Sequence, residues 1–283
     1  MPHDCILTLS CPDRTGIVYR VSGSLFEAGC NIDDAQQFGD ADSGRFFLRV
    51  HFHAPDDAAL ARVREGFAAL AGDYAMDWQL HDAQRKARLL VLVSRQGHCL
   101  NDLLFRTHTG QLPATIAAVV SNHRDHEALA DSYGVPFHHL PVSADSKREQ
   151  ERAILDLAAA ERIDLVVLAR YMQILSADMC EALAGRAINI HHSFLPSFKG
   201  ARPYHQAHAR GVKIIGATAH YVTGDLDEGP IIEQDVARVD HAMTPDDLAR
   251  LGSDTESLVL ARAVRRHVEY RILLNGHRTV VFR

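Results

Sequence analysis

The sequence has no C-x-x-C pair, no G-x-G-x-x-G or G-x-x-x-x-G-K-[ST] loop, no H-E-x-x-H pattern and no long apolar run. Each absence excludes something. Its five cysteines, Cys5, Cys11, Cys30, Cys99 and Cys180, are scattered without regular spacing, which argues for buried free thiols in a reduced compartment rather than a disulfide framework. No segment approaches the roughly 20 apolar residues of a membrane span, and MPHDCILTLSCPDR lacks a basic stretch followed by a long apolar one; a cytoplasmic protein is expected. An excess of basic residues is also missing. With 36 acidic against 30 basic residues and a formal net charge of -6, a general attraction to nucleic acid or to an anionic membrane is disfavoured. Nucleotide cofactors are disfavoured too, because SRQGHCLNDLL has Gly97 as its only glycine where a dinucleotide fold would carry its glycine-rich turn.

What is present is a globular composition, 47% hydrophobic and 23% charged, in 283 residues, enough for one large domain or two ordinary ones. The first part reads strand, helix, strand, strand, helix, strand. A short strand over residues 5–10 precedes a helix marked by Ile17, Val21, Leu25 and Phe26, which stops at Gly29. Strands over 32–38 and 45–53 are joined by the turn-rich GDADSG, and a helix over 56–71 leads to a strand over 74–81. This predicts a small α+β sandwich, an antiparallel sheet with both helices on one face, over residues 1–82.

Charge then clusters in HDAQRKAR, which places a linker at 83–88 and a second module at 89–283. There RLLVLVS and TIAAVVSN are continuous apolar runs, as in strands covered on both faces; further strands are expected over 136–141, 164–169 and 186–191, with helical stretches between. Such alternation predicts an α/β, doubly wound, mostly parallel sheet, whose ligands bind beyond the carboxyl ends of the strands.

One strand ends in a way a core strand has little reason to. In AINIHHSFLPSFKG the apolar run of Ala187, Ile188 and Ile190 is broken by Asn189, His191 and His192, and Pro196 stops it from continuing. Alternation puts Asn189 and His191 on one face and Ile190 and His192 on the other. In ATAHYVTGDLDEGPII, Thr218, His220 and Val222 are expected to share a strand face, followed by a turn carrying Asp225, Asp227 and Glu228. An amide, an imidazole and a carboxylate suit chemistry at a carbonyl: the amide holds an oxyanion, the imidazole adds to that hold or moves protons, and the carboxylate orients a histidine or a water. By spacing alone, His191 divides evenly between catalysis and a satisfied loop-end histidine, and His220 evenly between a supporting place and direct contact with the reacting group; His192 reads as structural, Asp227 on its own as a turn residue bonded to its own backbone, and Asp225 and Glu228 as solvated turn carboxylates. A metal site on His191 and His192 is poorly supported, because strand neighbours diverge and no third spaced ligand follows.

The stretch NIHHSFLPSFKGARPYHQAHARGVKIIGATAHYVTGDLDEGPII resembles the folate-dependent formyltransferase family. His192, where the transformylase relatives usually have proline, and the added N-terminal module point to the hydrolytic branch of that family. The resemblance implies a Rossmann-like catalytic domain and hydrolysis of 10-formyltetrahydrofolate to formate and tetrahydrofolate. It also implies a role in supplying formate for purine biosynthesis and balancing one-carbon folate pools, with the folate as substrate and neither cofactor nor metal. Carried over residue by residue, it makes Asn189, His191 and Asp227 catalytic, gives His220 and His98 supporting places, and sets Met172, Ile174 and Leu175 of ARYMQIL against the pterin.

Residues 1–82 resemble an ACT domain, a ferredoxin-like regulatory fold, on CPDRTGIV and AGCNI; this implies a possible amino-acid effector, glycine or methionine, near Asp13, Gly16 and Asn31. The alternative there is plain capping of the helix by Asp13. A homo-oligomer is expected, since an edge strand of the first module is available for pairing. Two rival functions stay open: formyl transfer to an amine such as glycinamide ribonucleotide, against which bulky His98 and Cys99 argue at the phosphate-loop position, and a folate or amino-acid sensor without catalysis. A tRNA acceptor is disfavoured by the acidic balance.

Overall fold

The computed structural model describes residues 2–193 and 203–283, so residues 194–202, the whole FLPSFKGAR motif with Pro196, lie outside the described residues. The chain divides into two compact units. The first comprises residues 1–85 together with Glu269–Arg283, and the second Lys86–Val268.

The first unit contains β1 (His3–Pro12), α1 (Ile17–Glu27), β2 (Asn31–Asp40), β3 (Arg45–Ala54), α2 (Asp57–Tyr74) and β4 (Asp77–Asp82), with a sheet ordered β2-β3-β1-β4. β1 pairs antiparallel with both β3 and β4. Period-two alternation sends Cys5, Leu7, Leu9 and Cys11 of β1 and Phe46, Leu48, Val50 and Phe52 of β3 into one core, under Ile17, Val21 and Leu25 of α1 and Val63, Phe67 and Leu70 of α2. Gly29, with φ 80°, ends α1, where its N–H donates to Phe26 O and that of Cys30 donates to Leu25 O. Asp56 caps α2 by accepting from Ala59 N at 2.8 Å. Asp13 does not cap α1: the cap position belongs to Gly16, at φ 94°, with no side-chain bond.

The charge cluster before Leu89 predicts that everything after it, the C-terminal residues included, belongs to the second module. The C-terminal residues belong instead to the first unit, as the hairpin β12 (Ile272–Asn275) and β13 (Arg278–Val281). Val280 and Phe282 bury against Phe47, and Tyr270 stacks on His81 with ring centroids 3.7 Å apart. The helix-free face of a sheet with Phe47 on it needs apolar cover, and residues distant in sequence supply it.

The second unit runs β5 (Ala87–Val93), α3 (His98–His108), β6 (Ala114–Ser121), α4 (Glu127–Ser132), β7 (Phe137–His139), α5 (Lys147–Ala160), β8 (Leu165–Leu168), α6 (Ala177–Ala182), β9 (Ala187–His191), α7 (Pro203–Ala209), β10 (Ile214–Tyr221), β11 (Ile231–Arg238) and α8 (Pro245–Val268). Its sheet is ordered β11-β10-β9-β8-β5-β6-β7. The strands from β9 through β7 are parallel, while β10 runs antiparallel to β9 and β11 antiparallel to β10. The five residues from Leu89 to Val93 are fully buried, as a strand covered on both faces requires. Among the described residues no helix is long and apolar enough to cross a membrane.

Candidate active site

β9 and β10 define the floor of the site through their register. Asn189 lies directly opposite His220, and His191 opposite Thr218, so these side chains share a face across the ladder. His220 is 3% exposed; its Nδ1–H donates to Tyr221 O at 2.9 Å, and Asn189 Nδ2 then donates to its Nε2 at 3.3 Å. One N–H of the amide is thereby occupied, and the other has no partner among the described residues. Val222, expected on the same strand face, lies just beyond the end of β10.

The turn after β10 folds back over this floor. Asp227, at φ 59°, places Oδ2 3.3 Å from His191 Nδ1 and Oδ1 3.7 Å from His220 Nε2. The His191 imidazole first, then that of His220, holds its carboxyl well below the usual carboxylate range against the opposing effect of burial. Asp225 and Glu228 are exposed, as solvated turn residues are. Gly229 makes the close approach possible: a Cβ there would lie 1.7 Å from Tyr221 O and 3.1 Å from His220 Nδ1.

His191 Nε2 is buried and has no hydrogen-bond partner among the described residues. Such an atom marks a site whose occupant is a ligand or a water. His192 does not diverge from His191 as strand alternation predicted. It lies past the end of β9, where alternation ceases, and the rings stack with centroids 4.7 Å apart. Burial, then the Arg170 cation, pushes the His192 imidazole down to about 4, so its ring is neutral near pH 7.

A cleft opens above this group, lined by Asn189, His220, Asp225 and Asp227 on one side and by Gln173, Ile174 and Leu175 on the other. Two of the three residues expected against a pterin therefore line it. Met172 does not; it is 63% exposed. Ile174 is 62% exposed, while Leu175 packs partly on the core below. Arg170 and Met172 both have positive φ, 64° and 59°. Left-handed backbone at non-glycine residues costs about 1–3 kcal/mol each and persists only where the surroundings enforce it.

His98 is not part of the Asn189, His191 and Asp227 group. Its Nε2 meets Glu256 of α8 at 2.7 Å, within a buried network that also contains Arg170 and Tyr204. His98, Cys99 and Glu256 present ligand-type atoms within 4.8 Å of one another. The cation of Arg170, 3.4 Å from the same Glu256 oxygen, and a Cys99 thiol pushed up by burial both oppose a metal ion there. The sequence reading missed Gln96, Arg170, Tyr204 and Glu256. A signal was available: Glu256 is a charged residue on the buried stripe of α8 that includes Gly252, Val259, Leu260 and Ala263.

The effector residues proposed from sequence do not gather in one place within the chain. Asp13 Oδ2 approaches Gly39 near the far end of β2, while Asn31 begins that strand and bonds Asp33 at 3.1 Å.

Two family models match the chain: formyl transferase over residues 87–264 and ACT domain over 6–65. A formyltetrahydrofolate deformylase of Corynebacterium sp. (strain P-1) is 51% identical, with 98% of each chain covered. The crystal structure of the formyltetrahydrofolate deformylase of Burkholderia mallei superposes with a TM-score of 0.95 at 52% identity, over 99% of this chain and 100% of that one. Glycinamide ribonucleotide transformylase 1 of Symbiobacterium toebii matches at TM-score 0.66 and 33% identity, over 70% of this chain and 95% of that one. With its ACT unit joined to a formyl transferase unit, the chain belongs to the formyltetrahydrofolate deformylase family.

Proposed function

We propose that this chain hydrolyses 10-formyltetrahydrofolate to formate and tetrahydrofolate, with the reacting carbon held among Asn189, His191 and Asp227. The observation that carries the reading is the meeting of an amide, two imidazoles and a carboxylate from β9, β10 and the following turn beside one cleft. The Asp227 carboxylate positions a water for attack on the formyl carbon. The oxyanion that develops accepts from Asn189 Nδ2 and from the Nε2–H of His191, protonated in the reactive state with its Nδ1–H on Asp227. The water's proton passes through Asp227 to N10 as the C–N10 bond breaks, which releases formate and tetrahydrofolate. His220 keeps the Asn189 amide turned the right way, and Ile174 and Leu175 give the pterin an apolar wall.

Transfer to an amine is the alternative chemistry for the same trio. The amino end of α3 speaks against a phosphate-bearing acceptor: a Cβ at Gly97 would lie 2.4 Å from the His126 ring, so an imidazole fills that space, and His98 turns inward to Glu256. The deciding assay is formate release from 10-formyltetrahydrofolate with no amine present. Steady turnover supports hydrolysis, and formate release that begins only when an amine is added rejects it.

The same reading places the enzyme in the cytoplasm, as a homo-oligomer that supplies formate for purine biosynthesis. The ACT match supports an amino-acid effector, and within one chain such a ligand would meet Asp13 and Gly16 without Asn31.

A further inference from the structure

Glu256 is 1% exposed and belongs to none of the groups that face the cleft. It ties together segments distant in sequence. Its carboxylate accepts from His98 Nε2 at 2.7 Å and from Tyr204 OH at 2.6 Å, and its Oε2 lies 3.4 Å from Arg170 Nε. Arg170, 6% exposed, also donates from Nε to Gln96 Oε1 at 2.7 Å, and its backbone carbonyl accepts from Ser94 N at 3.2 Å. Burial alone would raise the Glu256 carboxyl, but the His98 hydrogen bond, the Arg170 cation and the Tyr204 hydroxyl outweigh it and hold it below its ordinary range. The side chain is thus a buried anion whose neighbours are arranged for its charge.

That arrangement bears on the cleft through the backbone. Arg170 is the first of the two left-handed residues in the loop that follows β8, and the loop goes on to offer Gln173, Ile174 and Leu175 to the cleft. A left-handed arginine does not hold itself there. The clamp comprises Gln96 and Glu256 on its side chain and Ser94 on its carbonyl. Gly252, one turn before Glu256, leaves room for the Tyr204 ring, since a Cβ there would sit 2.0 Å from its hydroxyl.

We infer that Glu256 is a positioning residue that, through Arg170, fixes the loop from Arg170 to Leu175 in its folate-accepting conformation. It governs affinity for the folate and leaves the chemical step to Asn189, His191 and Asp227. The inference rests on the reading that folate occupies this cleft.

The test uses the full chain with Glu256→Gln, which keeps the volume and removes the charge, and Arg170→Lys, which keeps a charge and loses the planar fork. Melting temperature, kcat and KM for 10-formyltetrahydrofolate are measured, with tetrahydrofolate binding by calorimetry as a readout independent of turnover. The expected result for Glu256→Gln is a KM and a tetrahydrofolate Kd each raised about tenfold or more, with kcat within about threefold of the parent. Arg170→Lys moves both in the same direction and serves as the deciding variant if Glu256→Gln does not fold. Folded variants with parental KM and Kd, or with a loss confined to kcat, overturn the inference. A parent chain that binds tetrahydrofolate but releases no formate refutes the hydrolase reading instead, while the Kd comparison still decides the role of Glu256.

Discussion

The Asp227 carboxylate faces the His191 imidazole at 3.3 Å, Oδ2 to Nδ1, across the gap between a turn and a strand end. The pair defines the polarity of the site. The carboxylate accepts from the imidazole Nδ1–H, and the other ring nitrogen is buried without a hydrogen-bond partner among the described residues. Asp227→Asn keeps the shape and loses the charge. Turnover is expected to fall by about three orders of magnitude, and the melting temperature to fall as well, because the folded site favours the charge that is removed. A kcat within tenfold of the parent in single-turnover measurements would remove Asp227 from the mechanism.

Asn189 is tested by truncation. Loss of one preorganised oxyanion donor costs roughly 3–4 kcal/mol, so Asn189→Ala should lower kcat by about two to three orders of magnitude. KM should move far less, because the interaction strengthens in the transition state. An equal effect on KM with kcat unchanged would make Asn189 a binding residue only.

Gly229→Ala probes the turn while leaving the side chains of Asn189, His191 and Asp227 unaltered. The added methyl would lie 1.7 Å from Tyr221 O, which no rotamer can relieve. The turn must therefore move, carrying Asp227 off His191, and activity is expected to fall at least a hundredfold. Protein that remains folded by circular dichroism yet keeps full activity would contradict the close approach.

Acid sensitivity should arise in part in the first unit. Burial pushes the His81 imidazole, stacked on Tyr270, down to about 4. Between that value and an ordinary histidine value of about 6.5, the unfolded chain binds a proton that the folded chain refuses, so stability falls as pH drops through that window and is fully present above it. His81→Phe preserves the stacking and removes the titration. Its melting temperature should change less between pH 7 and pH 5 than the parent's, by about 3–6 °C. Identical pH profiles for the two proteins would show that His81 contributes nothing to the acid response.

Much of this was legible before any coordinates. Period-two strands with two amphipathic helices, then continuous apolar strands, separated the two kinds of sheet, because burial on one face or on both writes a different pattern into the sequence. Asn189 and His191 stood out as polar residues at the end of an apolar strand, and the turn with Asp227 stood out by its glycines. The hairpin at the C-terminus did not. Ile272–Asn275 and Arg278–Val281 carry no sign of which unit they will cover, since apolar cover can be supplied from any distance along the chain.

Local sequence determined which stretches became strands and helices and which residues had the chemistry to act on a carbonyl, because propensity, alternation and side-chain type are properties of neighbouring residues. Tertiary structure alone decided that His220 stands opposite Asn189, that His192 stacks on His191 instead of turning away, and that Glu256 is bonded to His98, Arg170 and Tyr204. Strand register and long-range ion pairing depend on how distant segments pack, and no local pattern encodes that distance.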